Sequence, residues 1–260
     1  MFGKTNIMKI VLIGSGNVAS HLAKVLHAAN HSLVQVYSRS IENAKLLADV
    51  VNANAICNLE DINVHADLYI LSVKDDVLAD VVEKMPDVKG IVVHTAGSIS
   101  INVLHCFRNH GVFYPFQTFT KDSEIDFSNI PILVESSSET IVSTLMKLGR
   151  ELSDHVIQAS SEQRGDLHIA AVYACNFVNH MYRLAEDMLH KSKLSFDLLH
   201  PLIAETASKV QKASPSTTQT GPASRKDHKV INKHLNALES GSELHAIYKI
   251  LTDSIIKRVE

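Results

Sequence analysis

No run of about 18 apolar residues occurs in this 260-residue chain, so no membrane-spanning helix is expected. The apolar stretch 8–13 is too short for the core of a secretory signal and runs straight into glycines. Cysteine is scarce. Cys57, Cys106 and Cys175 stand far apart with no C-x-x-C pair, which excludes a disulfide scaffold and is the usage of a reduced, cytoplasmic protein. An excess of one charge is also lacking: 25 Lys and Arg against 28 Asp and Glu leave −3, interspersed without an acidic or basic tail. That balance favours neither a nucleic-acid groove nor a polybasic membrane patch. The fifteen histidines include no H-E-x-x-H or other close ligand set, so no metal site is expected. No internal repeat is present.

What remains is ordinary globular composition, 45% hydrophobic and 20% charged, long enough for one large domain or two moderate ones. The first half alternates short apolar, β-rich runs at 9–13, 33–37, 68–73, 91–93, 112–114 and 132–134 with helical patterns such as 18–29 and 41–51. Continuous apolar strands separated by helices imply an α/β fold, a doubly wound parallel sheet covered on both faces. Near Ser160 the character changes. One long helix is predicted over 161–191, then helices over 196–212, 225–238 and 243–259, so the domains are placed at 1–159 and 160–260. Cys175, within an apolar run of the long helix, is expected to be buried. The Ser-, Thr-, Pro- and Gly-rich segment 213–224 is either a solvated connection or a functional loop. In it, Pro222 is expected to open the next helix, with Ser224 and Asp227 helping to cap it.

Gly14-Ser15-Gly16-Asn17-Val18-Ala19 follows the first strand and opens the first helix. Gly14 permits a tight turn, Gly16 lets backbone approach a pyrophosphate, and Ala19 allows close helix–strand contact. Free backbone N–H groups and the positive helix end then face the anion. At the end of the second strand an NAD site would carry an acid for the ribose 2′-OH; here stand Ser38-Arg39-Ser40. Hydroxyls and a guanidinium suit a 2′-phosphate, so NADP(H) is the expected cofactor. Ser72-Val73-Lys74 and His94-Thr95 follow later strands and should border it from the carboxyl edge of the sheet. Lys74 either reaches a phosphate or is solvated, and His94 is either a proton carrier or a packed histidine.

The glycine turn, the Ser38-Arg39 turn and the strand at 66–73 (ADLYILSV) resemble NADP oxidoreductases of the pyrroline-5-carboxylate reductase and F420-dependent reductase type. Tyr114-Pro115-Phe116-Gln117, the helix from His168 to Asn176, and the segment 220–227 (TGPASRKD) resemble a bacterial family that joins a Rossmann-like domain to a DUF2520 helical domain. This resemblance spans nearly the whole chain. It implies an NADP-binding Rossmann domain, a 6-phosphogluconate dehydrogenase-like helical domain and a dimer, and the long apolar helices such as 161–191 lead us to expect a homodimer built mainly through the C-terminal half. The Lys-x-x-x-Asn motif of β-hydroxyacid dehydrogenases is missing, as is the Ser/Gly-rich helix start of pyrroline-5-carboxylate reductases, so neither substrate carries over. In helical projection His168, Val172, Cys175, Asn176 and Asn179 share one broad face. There His168 and Asn176 are either a proton carrier and its orienting amide in a domain cleft, or polar groups satisfied by nearby backbone. Arg225 either binds a substrate carboxylate or is a solvated surface residue. These readings point to an NADP(H)-dependent oxidoreductase acting on a small molecule. The alternatives are an imine reductase of the pyrroline carboxylate type and an NADPH-binding sensor without turnover.

Overall fold

A computed structural model describes residues 7–120, 123 and 125–259. The chain divides into two compact units, Met1–Ala171 and Val172–Glu260.

In the first unit the elements follow as β1 (Lys9–Ile13), α1 (Asn17–Ala28), β2 (Ser32–Tyr37), α2 (Ile41–Val50), β3 (Asn54–Ile56), β4 (Leu68–Leu71), α3 (Asp75–Lys84), β5 (Ile91–His94), β6 (His110–Pro115), β7 (Ile132–Ser136), α4 (Glu139–Leu152), β8 (Val156–Gln158) and α5 (Ser161–Ala171). The eight strands form one sheet in the order β3-β2-β1-β4-β5-β6-β7-β8. β1 lies between β2 and β4, where the winding reverses direction. Both faces are covered, and the strands record it residue by residue. Ile10 and Leu12 enter a core with Leu22 and Leu26 of α1, Leu47 of α2 and Leu145 of α4. Val11 and Ile13 enter the opposite core with Leu78 and Val82 of α3 and with Leu104 and Phe107. Such a strand has no polar face to show to water.

The sheet is parallel as expected except at one pairing. β7 runs antiparallel to β6, from Pro115 opposite Ile132 to Gly111 opposite Ser136, and β8 follows β7. A parallel neighbour requires a crossover that carries the chain back to the start of the sheet, usually a helix. Among the described residues of 116–131 the only regular element is a single 3₁₀ turn, Phe127–Asn129, so the chain re-enters from the same edge.

The predicted helix 161–191 is three segments: α5, a π-helical stretch Val172–Phe177, and α6 (Val178–Lys191). α5 clusters with the sheet unit rather than with the helices beyond residue 171. Arg164 provides the reason. It is fully buried, bonds Glu135 through Nη1, and donates to the carbonyls of Ala96 and Ile99.

The second unit continues as α7 (His200–Lys212), the four-residue α8 (Pro215–Thr218), α9 (His228–Ala237) and α10 (Glu243–Arg258). Among its described residues, only Ala223 and Ile231 are buried apolar side chains. Cys175 is exposed, contrary to expectation, because the π-helical stretch carries no buried residue. Pro222 does not open α9 either. It sits in a turn that ends at Asp227, whose carboxylate accepts the Val230 N–H, while the Ser224 hydroxyl bonds back to Gly221.

Candidate functional site

The turn between β1 and α1 is built around a glycine that nothing else can replace. Gly14 has φ +125°, and a Cβ there would lie 2.0 Å from the Ser72 carbonyl oxygen. Its N–H donates to Tyr37 O at 2.8 Å, so β2 and the loop after β4 both close on this one residue. Gly16, the residue before α1, differs. A Cβ there would meet nothing within 4 Å, so the space over the helix N-terminus is open. Ala19 is fully buried at the helix–strand contact.

Beside this turn lies a cavity of about 550 Å³, lined by Gly14, Ser15, Gly16, Ser38, Arg39, Ser40, Ser72, Val73 and Lys74, with α3 side chains behind. Its place is the switch point between β1 and β4, beyond the carboxyl ends of the strands, where open α/β sheets hold ligands. The Ser15 hydroxyl donates to Ser38 Oγ at 2.9 Å. Ser40 accepts the Asn43 N–H as the cap of α2 and donates to Glu42 at 2.6 Å, a bond that lowers the Glu42 pKa. Its hydroxyl is therefore spent on the helix cap. Arg39 and Lys74 are exposed at the rim, and among the described residues neither has a salt-bridge partner.

Four of the thirteen residues expected at this site do not line the cavity. The Asn17 amide donates to Phe119 O at 2.9 Å, and Val18 packs on the core. Thr95 is buried. His94 is fully buried, its Nδ1 accepts the Ala96 N–H, and its Nε2 has no partner among the described residues. Burial first, and the Arg164 charge second, push its pKa down to about 3. An imidazole held neutral and shut away from solvent is no proton carrier, so the packed alternative describes His94.

A larger cavity, about 940 Å³, opens between Met8, Asp67, Gly90 and α4. These residues precede β1, β4 and β5, so it lies at the amino edge, the wrong end of the sheet for a ligand held by strand-end loops.

A second polar cluster stands at the carboxyl edge of β5 and β6. Tyr114 Oη is 3.3 Å from His168 Nδ1. Gly97, in the loop after β5, backs onto both: a Cβ there would lie 2.7 Å from each of those atoms. The Ser98 hydroxyl donates to Asp75 at the start of α3, which ties the loop after β5 to the loop after β4. Burial, and then the Asp75 charge, raise the Tyr114 pKa, so the phenol keeps its proton. Arg164, one turn before His168, holds α5 against this loop.

Among the residues expected to act on substrate, His168 thus belongs to the first unit. Asn176 and Arg225 belong to the second, and both are exposed. The single-face projection stops at Val172, because i→i+5 bonding in the π-helical stretch widens the turn. Sequence reasoning missed Arg164 and gave Tyr114 no chemical role. Their partners on other elements lie 29 to 68 residues away along the chain. The one local signal was the four-residue spacing of Arg164 and His168, which puts both on one helix face.

Residues 4–116 match the family described as a Rossmann-like domain, and residues 130–255 match a domain of unknown function, DUF2520. No curated protein matches the chain. Among solved structures, a protein from Bacteroides fragilis provisionally named an NADP oxidoreductase is 45% identical, with a TM-score of 0.88 over 96% of this chain and 98% of its own. The 1-pyrroline-5-carboxylate reductase of Streptococcus pyogenes shares the fold at 17% identity, with a TM-score of 0.65 over 98% of this chain and 99% of its own. A reductive aminase from Aspergillus terreus, solved with NADPH, does so at 13% identity, with a TM-score of 0.71 and the same coverage. With 45% identity over nearly its full length and both domain types in order, the chain belongs to the family that joins a Rossmann-like domain to a DUF2520 domain.

Proposed function

We propose that the protein is an NADP(H)-dependent oxidoreductase acting on a small molecule. The observation that carries this reading is the turn at Gly14 and Gly16. One glycine is forced by the Ser72 carbonyl, the other faces open space over a helix N-terminus, and the cavity beside them is lined by Ser38 and Arg39. A pyrophosphate fits such a turn, because backbone N–H groups and the helix dipole meet its charge without a side chain in the way. Ser38 and the Arg39 guanidinium stand where an NAD site carries an acid, and they suit a 2′-phosphate. The kinship with the Bacteroides fragilis protein agrees with this. Bound there, the nicotinamide supplies the hydride chemistry.

The chain's own residues supply position and proton exchange. On this reading His168, at the carboxyl edge of β5 and β6, takes part in proton exchange, while for the second unit the roles proposed are a substrate-orienting amide for Asn176 and a carboxylate anchor for Arg225. The protein works in the cytoplasm as a homodimer joined through its C-terminal helices. Among its described residues no helix is long and apolar enough to cross a membrane.

The test is a substrate screen that follows absorbance of the reduced nicotinamide, repeated with His168→Asn and Asn176→Ala. Both variants should bind NADPH as the parent does and lose about 10²-fold or more in turnover. Tight NADPH binding with no turnover of any substrate would replace the enzyme by a sensor.

A further inference from the structure

Resting on the oxidoreductase reading, we propose that Tyr114 is the group that gives the proton to the substrate's carbonyl oxygen or imine nitrogen, with His168 as the proton relay that positions and recharges it. β4, β5 and β6 are parallel neighbours about 4.8 Å apart, and the switch point lies between β1 and β4. A dinucleotide laid across that point, its 2′-phosphate end at Arg39, runs its other end toward the edge of β5 and β6. Tyr114 is the last residue but one of β6 there.

Three contacts fix this corner. The Ser98–Asp75 bond links the cavity's lip to the Gly97 loop. Gly97 presses its backbone against both Tyr114 Oη and His168 Nδ1. The fully buried Arg164 clamps α5 to the carbonyls of Ala96 and Ile99. A phenol and an imidazole held this way by three separate elements are preorganised, whereas surface packing alone requires no such convergence. Tyr114 is only half-buried, and among the described residues its hydroxyl has one hydrogen-bond partner, His168 Nδ1. With Nδ1–H donating to Oη, the phenol O–H remains for a ligand.

The step balances. When the substrate carbon is reduced by the hydride that a bound nicotinamide would supply, the C=O or C=N π pair collects on the heteroatom. The phenol O–H breaks and a heteroatom–H bond forms. The phenolate regains a proton from the His168 Nδ1–H, and the imidazole takes up a solvent proton at Nε2. The substrate is reduced, the nicotinamide is oxidised, and one solvent proton is consumed.

The experiment uses the full chain saturated with NADP⁺ and three five-membered rings. They are 2-pyrrolidinone (an inert lactam), 1-pyrroline (an imine) and cyclopentanone (a ketone). Nitrogen-15 spectra of labelled histidine, with His168→Asn identifying the signal, should show His168 Nδ1 shifting as 2-pyrrolidinone is added. The shift should vanish in Tyr114→Phe. In turnover, Tyr114→Phe should lower kcat on 1-pyrroline or cyclopentanone about 10²-fold or more, with NADPH affinity within twofold of the parent. A lactam response lost in Tyr114→Phe, with neither ring reduced, supports Tyr114 as the heteroatom donor and counts against the oxidoreductase reading instead. A His168 signal indifferent to saturating lactam, a response that persists in Tyr114→Phe, or unchanged kcat in that variant overturns the proposal.

Discussion

Two glycines two residues apart separate folding from binding. Gly14→Ala places a Cβ on the Ser72 carbonyl at a left-handed backbone angle, and should cost about 3 kcal/mol or more of stability. Gly16→Ala meets open space at φ −79°, so its urea midpoint should match the parent's while NADPH affinity falls, because the methyl occupies the pyrophosphate's place. Paired urea melts and NADPH titrations check both. His94 makes a second test at this scale. Folded, its imidazole stays neutral to about pH 3, whereas unfolded it takes a proton near 6.5. Between those values the unfolded chain binds more protons, so stability is full above about 6.5 and falls as the pH drops toward 3. His94→Asn, which keeps an acceptor for the Ala96 N–H, should remove up to a few kcal/mol of that acid loss when urea stability is measured from pH 7 to 4. The places of Gly14 in the turn and of Arg39 beside the cavity were legible in the sequence, because a turn and a strand end fix where such residues stand. Arg164 and Tyr114 were not, because their roles exist only once β5, β6 and α5 meet.

At the scale of elements, the strands with both faces buried were legible as apolar runs, and β1 has the predicted bounds. β3 and β8 have three residues each, too few to carry a period, and neither belongs to the predicted set. The π-helical stretch was invisible for another reason: its residues have ordinary helical composition, and only the bonding pattern differs. The turn before α9 shows how a capping signal survives while a helix start moves. Asp227 caps the helix, but Pro222 and Arg225 lie in the turn before it. Asp227→Ala should therefore cost about 1 kcal/mol in urea unfolding. Exposed Arg225→Ala should leave stability unchanged and raise the substrate KM, because an interaction made equally in ground and transition states is lost.

Across the whole molecule the two units differ in kind. The first has a core on each face of its sheet, whereas the second leaves Tyr173, Phe177, Met188, Leu198, Leu202 and Val210 exposed on its helices. So much apolar surface on one small helical unit is what an interface with a second copy would cover. Light scattering should give twice the 28.6 kDa chain mass at micromolar concentration, and the chain mass alone would contradict it. The central claim, however, is the cofactor and its choice, and it is tested most directly by calorimetric titration of the parent and Arg39→Ala with NADPH and with NADH. The account predicts tighter binding of NADPH to the parent. It also predicts that Arg39→Ala loses most of that preference, about 1.5–3 kcal/mol or roughly tenfold and more, while NADH affinity stays nearly constant. Equal affinities for the two nucleotides in the parent, or no binding of either, would contradict it.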